Sequence, residues 1–179
     1  VEGDKIKVTV EVIKPVPAQS GSEPSSSNVV KYVQSTGDSL FEAIRNVTLK
    51  FDRKIFLSHN KVFIFGEEFA KKVIIGHMDV VQRDHEFRES GHLVVAKGSR
   101  AEDVMGISSG IRDIPGEYIE DLIKNQPSMS KSVKINVNEF LKYYYDIGRQ
   151  PVMGVIQKKD KKSMGKSNNK NKKEEELLY

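Results

Sequence analysis

VFIF at Val62–Phe65 and LVVA at Leu93–Ala96, separated by Glu67 to about Arg83, decide the fold. These are the two short runs that stay apolar without alternating. A strand buried on both faces reads that way, whereas a half-solvated strand alternates. Between them Phe69, Val73, His77 and Val80 recur at steps of three or four, the spacing of a helix. Strand, helix, strand implies a parallel pair joined by a right-handed crossover. The expected class is therefore α/β (α+β): a mixed central β-sheet carrying a parallel strand-helix-strand unit, flanked by several helices. Phe63, Ile64, Val94 and Val95 are expected to be almost fully buried in it.

Working outward, Ile6, Val8, Val10 and Val12 alternate with Lys5, Lys7, Thr9 and Glu11, which describes a strand with one solvated face. Pro15-Val16-Pro17 ends it, and the Ser/Gly/Pro/Glu-rich stretch from Ala18 to Asn28 leads to a second strand at Val29–Ser35. An antiparallel pair with a long tip follows from that order. Ser39-Leu40-Phe41-Glu42 is a capping box before a helix whose Leu40, Ile44, Val47 and Phe51 form one apolar stripe. Ser99-Arg100-Ala101-Glu102 reads as a second capping box, opening a short helix closed by Gly106. A third helix starts at Pro115 and runs to about Asn125. A fourth is expected to be capped by Asn138 and ended by Gly148, with Phe140, Leu141, Tyr144 and Ile147 inward. Val152–Gln157 reads as the last strand.

The chain has 179 residues, 37% hydrophobic and 30% charged, with no cysteine. That length can bury a real core. The lack of cysteine removes disulfides, thiolate metal sites and cysteine nucleophiles. The net charge of +4 sits in residues 158–179, where eight Lys face four acids; residues 1–157 hold 21 basic and 21 acidic side chains. The lysines of that tail are diluted with Ser, Asn and Gly, and no aromatic precedes Tyr179 to stack on a base, so a solvated linker is expected rather than a nucleic-acid surface. Residues 1–157 form one domain and 158–179 a lysine-rich linker. Glu174–Tyr179 looks cut in mid-element, so another domain is expected to follow.

Candidate chemistry is sparse. His77, Asp79, Asp84, His85 and Glu86 are metal-ligand types, but His77 falls on the apolar helix face, and no pair of histidines has the spacing of a zinc helix. No metal site or cofactor is expected. Ser58-His59-Asn60 precedes the central strand; a serine and a histidine adjacent in the chain are rarely a nucleophile and its base, so this is a polar turn or, alternatively, part of a small-molecule site. Lys97-Gly98-Ser99-Arg100 lacks the spacing of a phosphate loop. The pattern points away from an enzyme.

Several segments carry a resemblance. Thr36–Asn46 (TGDSLFEAIRN), Phe56–Lys71 (FLSHNKVFIFGEEFAK), His92–Ile107 (HLVVAKGSRAEDVMGI) and Ile114–Asn125 (IPGEYIEDLIKN) resemble, in fixed order, the Ger(x)C family, the C-subunit lipoproteins of spore nutrient-germinant receptors. The resemblance covers about residues 1–157, that family's N-terminal domain. It implies a non-catalytic, lipid-anchored subunit on the outer surface of the spore inner membrane, acting with integral-membrane A and B subunits to trigger germination. The anchor would be a lipidated cysteine upstream of Val1. No nucleic acid is implied, and a nutrient- or anion-binding domain is the alternative. For a scaffold of this kind the expected working part is a protein–protein surface. Arg88, in the segment 84–92, and Glu117, Glu120, Asp121 and Lys124, on the helix 115–125, offer a polar rim around apolar residues.

Overall fold

In a computed structural model the described residues are 5–14, 30–51, 57–72, 74–83, 87–107, 114–125, 132–160 and 175–178. Strand β1 (Ile6–Ile13) pairs antiparallel with β2 (Val30–Gly37), Ile6 opposite Gly37 and Ile13 opposite Val30. The decisive segment folds as expected at its ends. Strand β3 (Val62–Gly66) is parallel to β4 (His92–Ala96), with Val62 opposite His92 and Ile64 opposite Val94. Strand β5 (Gly154–Asp160) continues the parallel set beside β4, and β6 (Glu175–Leu178) closes it antiparallel, giving the order β3-β4-β5-β6. The last apolar strand thus lies slightly later than its sequence pattern places it.

Helix α1 (Leu40–Thr48) begins as its capping residue dictates: the Ser39 hydroxyl accepts from the Glu42 N–H at 3.1 Å. The Glu42 carboxylate reaches back to the Asp38 N–H at 2.9 Å, one residue further than a strict capping box. Gly37 is required here, because a Cβ at that position would lie 2.5 Å from the Ala43 nitrogen, where α1 crosses the end of β2. The expected crossover helix is described in two stretches, α2 (Glu67–Lys72) and α3 (Ile74–Arg83), with Val73 outside the described residues; on α3 the buried positions are Met78 and Val81, one residue on from the expected His77 and Val80, which are half-buried. Helix α4 (Ala101–Val104) starts from Arg100, whose N–H donates to the Asp103 carboxylate at 2.9 Å. Ser99 therefore is not its cap; the Ser99 hydroxyl is buried with no hydrogen-bond partner. Gly106 closes the helix at φ +82°, a conformation that favours glycine.

Helix α5 (Pro115–Asn125) matches its expected bounds. Helix α6 (Val137–Tyr145) is capped by Asn136 rather than Asn138: the Asn136 side chain accepts from the Glu139 N–H at 2.8 Å, and Glu139 accepts from the Asn136 N–H at 3.0 Å. Both residues are asparagine, and the acid three residues later selects the first. The helix ends at Tyr145, so Ile147 lies past it and is fully exposed, and Tyr144 is also exposed.

Two apolar clusters form, one on each side of the β3–β4 pair. Phe63 and Phe65 join Ile6, Phe69, Met78, Val81, Leu93 and Phe140 on one side. Val62 and Ile64 join Val94, Ile119, Ile123 and Ile156 on the other. Of the four residues expected to be almost wholly buried, Val94 is (0% exposed), whereas Phe63, Ile64 and Val95 are half-buried. For Phe63 and Ile64 the reason is strand position. β4 has a neighbour on each side, while β3 has one among the described residues and is half-buried along its whole length.

Candidate functional site

The parallel register sets the N-terminal ends of β3 and β4 side by side, and a polar hollow opens there. His92 N–H donates to the Lys61 carbonyl at 2.8 Å, and Asn60 N–H donates to the Leu57 carbonyl at 2.9 Å to close the turn before β3. The loop after Phe87 is held by its own backbone and by α6: the Arg88 carbonyl accepts from Gly91, and the Glu89 and Gly91 carbonyls accept from Asn138 and Val137. Two of the α6 amides left over at the helix start are satisfied this way. Helix α5 supplies the remaining wall. The hollow, about 240 Å³, is lined by Asn60, Lys61, Arg88, Ser90, His92, Glu120 and Lys124.

Its electrostatics centre on Glu120. That carboxylate meets Lys61 Nζ at 2.9 Å and Lys124 Nζ at 2.7 Å, while Glu117 lies 3.6 Å from Lys61. Burial alone would raise the Glu120 carboxyl, but Lys124 and Lys61 outweigh it and the net shift is downward. Lys61 is raised in turn, chiefly by its hydrogen bond to Glu120. The Arg88 guanidinium Nε donates to the Ser90 hydroxyl at 2.6 Å. Burial, seconded by Lys134, pushes His92 below the usual histidine range, although Glu120 pulls it upward. Its Nδ1 is buried without a hydrogen-bond partner. The hollow is thus a charged, largely self-paired surface with a neutral imidazole in its wall.

Of the residues singled out from sequence, Asn60, Arg88, Glu120 and Lys124 come together here. Glu117 lies beside them through Lys61, and Asp121 sits half-buried on the same helix. Ser58 and His59 are exposed on the turn and do not line the hollow. The apolar residues expected to be accessible on α5 face the core: Tyr118, Ile119 and Ile123 are buried. Exposed apolar side chains gather instead around the end of α6 and the approach to β5, at Tyr144, Tyr145, Ile147 and Val152. Lys61, Ser90 and His92 were not anticipated. The signal for two of them was present, since a parallel pairing of the 62–65 and 93–96 runs necessarily juxtaposes the residues that precede them.

His77 lies edge-on to Phe69 at 5.4 Å between ring centres, as its place on an apolar helix face implies. Asp84, His85 and Glu86 lie outside the described residues. Among the described residues no three metal-ligand side chains cluster, and no helix is long and apolar enough to cross a membrane.

Comparison with known proteins gives two kinds of match. A family model described as the spore germination protein N-terminal domain matches residues 1–158. "Spore germination protein KC" of Bacillus subtilis (strain 168) is 29% identical over 108 residues, covering 59% of this chain and 26% of that protein. "Putative spore germination protein YfkR" of the same organism is 24% identical over 169 residues, covering 91% of this chain and 42% of that protein. The chain therefore spans well under half the length of these relatives. No solved structure matches.

Proposed function

Because the chain belongs to the spore germination protein N-terminal domain family, that of the Ger(x)C proteins, we propose that it is the first domain of the C subunit of a nutrient-germinant receptor. In this reading it is non-catalytic, held by a lipidated cysteine upstream of Val1 at the outer surface of the spore inner membrane. It works by contact with integral-membrane A and B subunits. Residues 1–157 are the body of the folded domain, and the lysine-rich 158–179, which supplies the end of β5 and strand β6, leads toward the next one. The observation that carries the reading is the family match across residues 1–158.

Within that reading the working surface is the rim of the hollow, with Arg88, Glu117, Glu120, Asp121 and Lys124. At about 240 Å³ the hollow falls below the roughly 300–1,000 Å³ of small-molecule pockets, and its Lys61, Glu120 and Lys124 charges are already paired with one another. Both facts favour a contact surface over a nutrient or anion pocket at the hollow; the alternative site at Ser58-His59-Asn60 borders a separate cleft of about 1740 Å³, which His59 and Asn60 line. Reversing Arg88 and Glu120 together in the full-length subunit should impair germination while spore levels of the subunit stay normal. Normal germination in that variant would remove this surface, and saturable stabilisation of the domain by a single amino acid or sugar would favour the pocket.

A further inference from the structure

Strand β3 has the sequence of an interior strand and the position of an edge strand. VFIF carries no charge, proline or bulge across its run, whereas exposed sheet edges are normally blunted by such features. Its free side faces β1 across a cleft of about 1740 Å³ that runs along residues 6–14 and 60–69. Among the described residues, β1 has β2 as its only ladder partner and β3 has only β4. Yet the two sheets share both of their covering layers. On one side Ile6 and Val8 pack in the same cluster as Phe63 and Phe65. On the other, Lys7 pairs with Glu102 of α4 at 2.9 Å, and the Glu11 carboxylate accepts from the Gly116 N–H of α5 at 2.9 Å. The arrangement is one sheet parted between β1 and β3.

The backbone phase of the β3 edge follows from its other side. The Lys61 carbonyl accepts from His92, so in a parallel ladder Lys61, Phe63 and Phe65 bond toward β4. The amides and carbonyls of Val62 and Ile64 then point into the cleft. We propose that the parting between β1 and β3 is a strand-acceptor site, filled by an extended apolar segment of a partner polypeptide that hydrogen-bonds to both edges. The cleft exceeds the size of ordinary small-molecule pockets. Water or side chains can satisfy the backbone groups of a strand edge one at a time, whereas another extended backbone matches their whole spacing. An occupant would have Phe63 and Phe65 beside its one face and Val62 and Ile64 beside its other, so its own sequence should be apolar without alternation, like that of β3. The site rests on the sheet edges and not on the receptor reading.

Residue-resolved amide exchange tests it, on the chain alone and with an acetylated, amidated peptide copying Lys61–Glu67 (KVFIFGE). In the chain alone, Val62 and Ile64 amides should exchange about 100-fold faster than those of Phe63 and Phe65. The peptide should slow the two fast amides by about tenfold when present near ten times its Kd. The same peptide carrying Ile64→Pro should leave them fast. Three results would overturn the proposal. Protection of Val62 and Ile64 in the dilute chain alone would mean that the chain closes the parting itself. Protection that grows with protein concentration would assign the cleft to a second copy. Fast exchange unaltered by the peptide at millimolar concentration would show that the edges accept no strand.

Discussion

Replacing Glu120 by Gln keeps the side chain's size and removes the one negative charge that Lys61 and Lys124 share. The Glu120 side chain is 14% exposed and its two lysines 45% and 50%, so the carboxylate is largely desolvated while each ammonium can turn to water. Exposed pairs contribute roughly 0.2–1 kcal/mol each, and the buried end of these pairs places them in the upper part of that range. The expected loss is therefore about 1–2 kcal/mol at pH 7 and low salt, and about half that in 1 M salt, where screening acts within about 3 Å. The pH dependence has a definite sign. The carboxyl is depressed in the folded protein, so its contribution is complete above the ordinary glutamate value near 4.3 and disappears as pH falls through the lower folded value. Urea unfolding of the chain and of Glu120→Gln, followed by far-ultraviolet circular dichroism at pH 7 and pH 3, measures both effects. A gap below about 0.3 kcal/mol at pH 7, or one that persists unchanged at pH 3, would refute the ionic account of this hollow.

Two further expectations concern single substitutions. Ser39→Ala should cost roughly 0.5–2 kcal/mol because a helix cap is lost, while Ser99→Ala should cost nothing measurable, since its buried hydroxyl has no partner to lose; equal losses at the two sites in thermal unfolding would contradict the cap assignments. Ile123→Ala, at a side chain with 0% exposure, should cost on the order of 2–5 kcal/mol, and Ile64→Ala, at the half-buried edge strand, clearly less; the reverse order in urea melts would place β3 in the sheet interior.

Local chemistry was legible in the chain. The parallel β3–β4 pair, the β1–β2 hairpin, the Ser39 cap, the bounds of α5 and the turn at Gly106 all follow from patterns spanning a few residues. The errors share a cause. Asn136 rather than Asn138 caps α6 because a cap is chosen by which backbone amide its side chain actually reaches, a matter of ångströms within one turn; at α4 no side chain of the N-cap residue serves, and the Asp103 carboxylate holds the start by accepting from the Arg100 N–H. Ile147 keeps the helical spacing but falls past the last turn, so periodicity could not tell that it is solvent-exposed. The hollow shows the same division. Asn60, Arg88, Glu120 and Lys124 were each visible as polar residues beside predicted elements, yet nothing local joins position 60 to position 120. That juxtaposition comes from strand register and from the packing of α5 on the sheet. The sequence of β3 determined that the strand prefers burial on both faces, because five residues of backbone and apolar side chain state that preference locally. Strand order is a different quantity: it depends on which distant segment reaches each edge, and only the tertiary structure decided that β3 faces a cleft instead of a neighbouring strand among the described residues.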